Sequence, residues 1–249
     1  PVEQGDVGGG RIYLQVQTRQ SRMFIAQAAR TQVTLEGLPV SDFPSLVEEP
    51  GFVAHRFCVD VAQGQRLTVE KVVALHTSRD HAISEAGLAA RTAVEEAGGF
   101  PELLGRHVLA WDQLWRRFDL PLAGQAEAEL ALRVHIFHLL QTVSLNSIGL
   151  DCGVPARGLH GEAYRGHIFW DELFVFPLLN LRLPVLTRSM LDYRFRRLAP
   201  ARRAARQEGR AGAMFPWQSG SDGREETQTL HLNPRSGRWL PDNSRLQRH

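Results

Sequence analysis

Sixteen consecutive residues, Ala156-Arg-Gly-Leu-His-Gly-Glu-Ala-Tyr-Arg-Gly-His-Ile-Phe-Trp-Asp171, carry three glycines, two arginines, two histidines, two carboxylates, a tyrosine and a tryptophan. Glycine permits tight turns and close backbone approach. Adjacent Trp170 and Asp171 suit a sugar, because an indole covers the apolar CH face of a pyranose while a carboxylate accepts hydrogen bonds from two hydroxyls. A second run, Phe215 to Glu226, repeats the theme: Pro216 and two glycines mark a loop, and Trp217 is followed by Asp222, Glu225 and Glu226. Taken singly, each run also fits a plainer arrangement. Asp171 could cap a helix that begins beside a buried Trp170, and the second run could be an exposed acidic loop pinned by one aromatic.

Other chemistries find little support. His160 and His167 stand seven residues apart, no HExxH or cysteine-rich pattern is present, and no metal site is assigned. The histidines suit hydrogen bonding in a polar site. There is no G-x-S-x-G elbow, Walker loop or dinucleotide fingerprint. Arg194, Arg196, Arg197, Arg202, Arg203, Arg206 and Arg210 form a run among alanines, which reads as solvated helix surface. A net charge of +2 and the lack of interleaved aromatics argue against a nucleic-acid partner. No stretch approaches the roughly 18 apolar residues of a membrane span. Cys58 and Cys152 have no metal spacing; a bridge is left open, but free thiols in a reducing cytoplasm are the economical reading.

The elements that must hold these loops fall into two halves. Apolar residues alternate in Arg11 to Thr18, in Phe52 to Val61, and through Leu67, Val69, Val73 and Leu75, with Lys71 on the same face. The last two runs flank Gln63-Gly64 and predict a hairpin; Lys71 suggests an edge or a wet surface. From Ser78 the pattern turns helical, with Asp80 and Ser84 as candidate caps. Further helices are predicted from Pro101 to Phe118, Glu127 to Asn146, Asp171 to Leu181, Pro184 to Leu198 and Pro200 to Glu208. Leu132, Ile136, Leu139, Leu140 and Val143 give the segment from Glu127 to Asn146 a core-facing stripe. At 249 residues, 43% of them apolar, the chain can bury a real core. It begins without Met and ends at His249 without a cap or turn signal, as an internal piece of a longer protein would.

GLHGEAYRGHIFWDELFVFP (158–177) and GAMFPWQSGSDGREET (212–227), preceded in order by LHTSRD (75–80) and LLGRHVLAWDQLW (103–115), resemble glycoside hydrolase family 65. The resemblance implies a β + α multidomain build. Residues 1–77 would be the last strands of an N-terminal β-sandwich, 78–120 a helical linker, and 121–249 the first helices of a catalytic (α/α)6 barrel. The implied reaction is inverting cleavage of an α-glucoside disaccharide, trehalose first, by hydrolysis or by phosphorolysis with inorganic phosphate as co-substrate; no other cofactor is implied. Maltose- or kojibiose-type phosphorolysis is the alternative, and a non-catalytic sugar-binding module the alternative from another class. A homodimer is the candidate assembly.

By resemblance, Trp170 and Asp171 contact the glucosyl unit, Trp217 and Glu225 line the sugar site, and Arg165 and His167 order the loop or touch hydroxyls. The general acid is a Glu expected beyond residue 249, so Glu162, Glu172, Glu225 and Glu226 are not assigned that role. Many family phosphorylases read Phe-Trp-Asp-Thr-Glu, whereas Asp171 is followed here by Glu172-Leu173, which suggests a difference on the aglycone side.

Overall fold

The computed structural model describes residues 1–40, 44–158 and 164–244, the side chain of Arg165 excepted. The chain divides into two compact units, residues 1–113 and 114–249.

The first unit is built on a five-stranded sheet. Its strands are β1 (Glu3–Gly8), β2 (Arg11–Gln17), β3 (Phe24–Leu35), β4 (Leu38–Pro39) and β7 (Leu67–Thr77), with the hairpin β5 (Ser45–Glu49) and β6 (Phe52–Arg56) inserted before β7. All pairings are antiparallel, in the order β1-β2-β3, with β4 and β7 both on β3. The predicted pairing of the run at Phe52 with the run at Leu67 does not form. β6 pairs with β5, and β7 pairs with β3 along its whole length, from Ile25↔Thr77 to Leu35↔Leu67. An eleven-pair ladder satisfies far more backbone donors and acceptors than a short hairpin across Gln63-Gly64 would.

One face of this sheet packs on helix α1 (Ala86–Glu96). Tyr13, Ala26 and Ala28 from the strands meet Ala86, Ala90 and Val94, which recur every fourth residue along the helix. Alanine on both sides lets the helix lie close to the sheet, and fully buried Val94 contributes roughly 1.5–3 kcal/mol. The helix starts later than the composition suggested, and its cap is Glu85 rather than Asp80 or Ser84. The Glu85 carboxylate accepts from the backbone N–H of Gly87 and Leu88, which holds it below the usual carboxylate range. Asp80 instead accepts from Thr77 N (3.1 Å) and Thr77 Oγ1 (3.0 Å). At the other end Arg30 donates to the carbonyls of Val94, Ala97 and Gly98 at 3.0–3.2 Å, a cation placed on the negative end of the helix. The opposite face of edge strand β7, with Leu67, Val69, Val73 and Leu75, is exposed.

Helix α2 (Phe100–Phe118) runs across the boundary between the units. The second unit then contains α3 (Ala126–Thr142), α4 (Glu172–Arg182), α5 (Pro184–Arg196) and α6 (Leu198–Gln207), each close to its predicted span. Ile136, Leu140 and Val143 of the predicted stripe are buried. Leu183 ends α4 and opens α5, whose first residue, Pro184, has no N–H to leave unsatisfied. Two short ladders complete the unit: β8 (Ile168–Phe169) with β9 (Gln218–Ser219), and β10 (Leu230–Leu232) with β11 (Trp239–Pro241). Among the described residues no helix is long and apolar enough to cross a membrane.

Candidate functional site

The two loops singled out by composition are joined by β8 and β9. Ile168 pairs with Ser219 and Phe169 with Gln218, and one residue beyond the ladder Trp170 N donates to Trp217 O at 3.4 Å. This register places the two indoles side by side, with ring centroids 5.2 Å apart and planes tilted by 34°. Phe174 meets Trp170 edge-on at 5.1 Å, and Phe169 meets Trp217 at 6.4 Å. The result is a half-buried aromatic platform on which Phe174 remains 69% exposed.

Asp171 lies beside it, immediately before the first residue of α4. Its side chain makes no capping bond, so the plainer reading of this residue as a helix cap does not hold. The exposed carboxylate borders a cleft of about 160 Å³ with His138 and Thr142 of α3 and Val175 of α4. His167 Nδ1 lies 2.7 Å from the Gln218 amide nitrogen, which donates to it. In the neutral ring the proton is then on Nε2.

Glu225 is used within the loop. Its Oε2 accepts from Trp217 N (3.0 Å); its Oε1 accepts from Gln218 N (3.2 Å), Thr227 N (3.3 Å) and Thr227 Oγ1 (2.6 Å). Four donors fill most of the acceptor capacity of a carboxylate, so Glu225 staples the strand that carries Trp217. The side chain of Arg165, with His160 and Glu162, lies outside the described residues.

The sequence reading missed the supports beneath the platform. Glu172 is turned into the core. Only 2% exposed, it accepts from Arg194 Nε at 2.6 Å and from Val154 N at 3.2 Å. Burial pushes its carboxyl up, and the Arg194 guanidinium opposes that shift. Arg194 also donates to Phe169 O at 3.4 Å, directly behind Trp170. Three residues on, Arg197 grips both Asp151 oxygens at 2.9 and 2.8 Å, and with Arg196 holds that carboxyl below its ordinary value. Tyr193, completely buried, donates its hydroxyl to Gly220 O at 2.6 Å and pairs with Ser219 Oγ at 3.0 Å; burial pushes that hydroxyl up. The available signal was spacing. Arg197 lies one helical turn beyond the adjacent pair Tyr193 and Arg194, so two members of the arginine run face inward while others remain solvated. Among the described residues no three His, Cys, Asp or Glu side chains converge on a metal position.

The chain belongs to glycosyl hydrolase family 65. Its residues 1–114 match the family's N-terminal domain and residues 133–249 its central catalytic domain. It is 50% identical over 238 residues to an uncharacterized glycosyl hydrolase of Mycobacterium tuberculosis, covering 96% of this chain and 18% of that protein. It is 33% identical over 244 residues to the trehalose 6-phosphate phosphorylase of Lactococcus lactis, covering 95% of this chain and 30% of that protein. The fold is shared with a solved chain from the human microbiome, named as a candidate kojibiose phosphorylase. The two superpose with a TM-score of 0.68 at 20% identity, over 91% of this chain and 29% of the other. The chain thus spans less than a third of the length of these relatives.

Proposed function

We propose that the protein carrying this chain cleaves an α-glucosidic bond of a disaccharide with inversion, trehalose or its 6-phosphate being the first substrates to test. The observation that carries this reading is the β8–β9 register, which brings Trp170 and Trp217 to 5.2 Å beside an Asp171 carboxylate free of capping duty. Stacked indoles give a pyranose an apolar bed, and the carboxylate gives its hydroxyls a charged acceptor. The likeness to a trehalose 6-phosphate phosphorylase supports the substrate class.

On this reading residues 1–77 close a β-sandwich, 78–120 form the linker and 121–249 open the helical barrel. An inverting enzyme protonates the departing oxygen with one carboxylic acid while the nucleophile arrives at the opposite face of the ring. Nothing in the site assigns that acid: Glu172 is locked to Arg194, and Glu225 is consumed by backbone donors. The contribution of this chain is to hold the glucosyl unit, with the acid supplied from sequence beyond residue 249.

The test is to incubate the full-length protein with trehalose, trehalose 6-phosphate, kojibiose and maltose, each with and without inorganic phosphate, and to identify the products. A glucose phosphate formed only with phosphate marks a phosphorylase. Free glucose without phosphate marks a hydrolase, which needs a carboxylate base in addition to the acid. Failure to cleave any α-glucoside would overturn the reading in favour of a sugar-binding module.

A further inference from the structure

Arg197, just past the end of α5, has an unusual set of partners for a residue in an arginine-rich run. Its Nη1 donates to Asp151 Oδ1 (2.9 Å) and Tyr193 O (2.9 Å), and its Nη2 to Asp151 Oδ2 (2.8 Å) and Ser221 O (2.6 Å). The guanidinium lies over the Tyr193 ring, 3.7 Å from its centroid. Its side chain is only 13% exposed. Gly223 closes over it: φ there is +78°, and a Cβ at that position would fall 2.0 Å from Arg197 Cδ. Apart from Tyr193 O, every acceptor belongs to one of two loops, Asp151 on one and Ser221 on the other. Tyr193 holds the second loop one residue earlier, through Gly220. Glu225 ties the far end of that loop back to Trp217 and Gln218.

The geometry points to Arg197 as a positioning residue that sets the Trp217 indole against Trp170. A planar fork of five N–H donors can hold a carboxylate and two carbonyls at once, which a lysine ammonium cannot. The loop anchored by that fork leaves β9, the strand that directly follows Trp217, and its far end returns to Trp217 N through Glu225, so the orientation of the indole depends on it. This proposal rests on the reading of the two indoles as the sugar platform, and it is tested so that the two can fail separately.

The experiment uses the full-length protein with Arg197→Lys and, independently, Gly223→Ala, which displaces the arginine without altering it. The first readout is the circular-dichroism couplet of the two close indoles, identified by its loss in Trp217→Phe. Both variants should lose at least half of it while the helical signal persists. The second readout is disaccharide KM, expected to rise roughly tenfold in Arg197→Lys, with a smaller change in kcat. Because Arg197 acts through the indole, adding Arg197→Lys to Trp217→Ala should raise KM no further, although the loss in melting temperature should still add. An undiminished couplet in both variants, or KM effects that add, would overturn the proposal. A diminished couplet together with a Trp217→Ala variant that binds sugar normally would uphold Arg197 and sink the platform reading instead.

Discussion

Glu172 and Arg194 form an ion pair inside the helical unit, Nε to Oε1 at 2.6 Å, with 2% and 8% of the two residues exposed. Each also holds backbone: Glu172 accepts from Val154 N, and Arg194 donates to Phe169 O. Two ions taken out of water are tolerated only when they satisfy each other and their remaining bonding capacity. The pair therefore fixes the start of α4 relative to β8, and with it Asp171 and Trp170 between them.

Arg194→Met should cost about 3–5 kcal/mol in unfolding free energy, since it strands a buried carboxylate that burial already pushes toward its protonated form. The double variant Glu172→Leu with Arg194→Met should recover most of that loss, because no unpaired charge remains. Urea unfolding of the two variants beside the parent checks both statements. A single variant costing less than about 1 kcal/mol, the range of an exposed pair, would contradict the burial argument.

Asp151 gives a pH-dependent counterpart. Its bonds to Arg197, and secondarily to Arg196, hold its carboxyl below the ordinary value of 3.8. A folded pKa below the unfolded one contributes stability above the unfolded value and loses it as pH falls through the folded value. The stability difference between parent and Asp151→Asn should be about 1.5–3 kcal/mol near neutrality, begin to shrink below pH 3.8, and be gone at lower pH. Denaturant titrations across that range read it directly, and a gap that instead widened on acidification would reverse the assigned sign.

These two pairs mark where the sequence stopped being informative. The helices of the second unit were legible because Ile136, Leu140 and Val143 keep a helical period, and Pro184 punctuates the chain between α4 and α5. The two aromatic–carboxylate loops were legible as chemistry. Their pairing was not, because β8 and β9 are two residues long and lie about fifty residues apart, too short to leave a period and too distant for a turn signal. Arg194 and Arg197 were hidden for a different reason. An arginine run describes composition, whereas burial depends on which side of α5 each residue occupies, and Gly223 and Ser219 define that side from another segment. In the sheet unit the alternation of β7 was visible, but alternation does not name a partner, and β3 proved the longer match.

Asp171→Asn separates binding from capping. The side chain makes no bond to the start of α4, so the neutral isostere should leave the melting temperature within about 1 °C of the parent, in keeping with a surface change of under 0.5 kcal/mol. Losing a charged acceptor for sugar hydroxyls should lower kcat/KM about 10- to 100-fold, the equivalent of roughly 1.5–3 kcal/mol. Unchanged kcat/KM would remove Asp171 from the site. A large fall in melting temperature would restore the capping role that the geometry denies it.

The last expectation concerns the 249-residue chain taken alone. On its helical unit Leu181, Val185 and Phe195 are 82%, 62% and 72% exposed, and on its sheet unit Val69 and Leu75 of β7 are 59% and 61% exposed. Single exposed apolar side chains are ordinary, but clusters along an edge strand and on neighbouring helices are surfaces that another segment covers. Within the proposed longer protein, further barrel helices would cover the first cluster and further sandwich strands the second. The isolated chain should therefore bind a hydrophobic dye strongly and self-associate as its concentration rises, whereas the full-length protein should do neither. It should also cleave none of the four disaccharides, because the proposed function draws the acid that protonates the leaving oxygen from sequence beyond residue 249. Sedimentation and dye fluorescence test the first statement, and product analysis tests the second. A monomeric, dye-silent chain would mean that these faces are stable against water as they stand, and glucoside cleavage by it would place the general acid within residues 1–249.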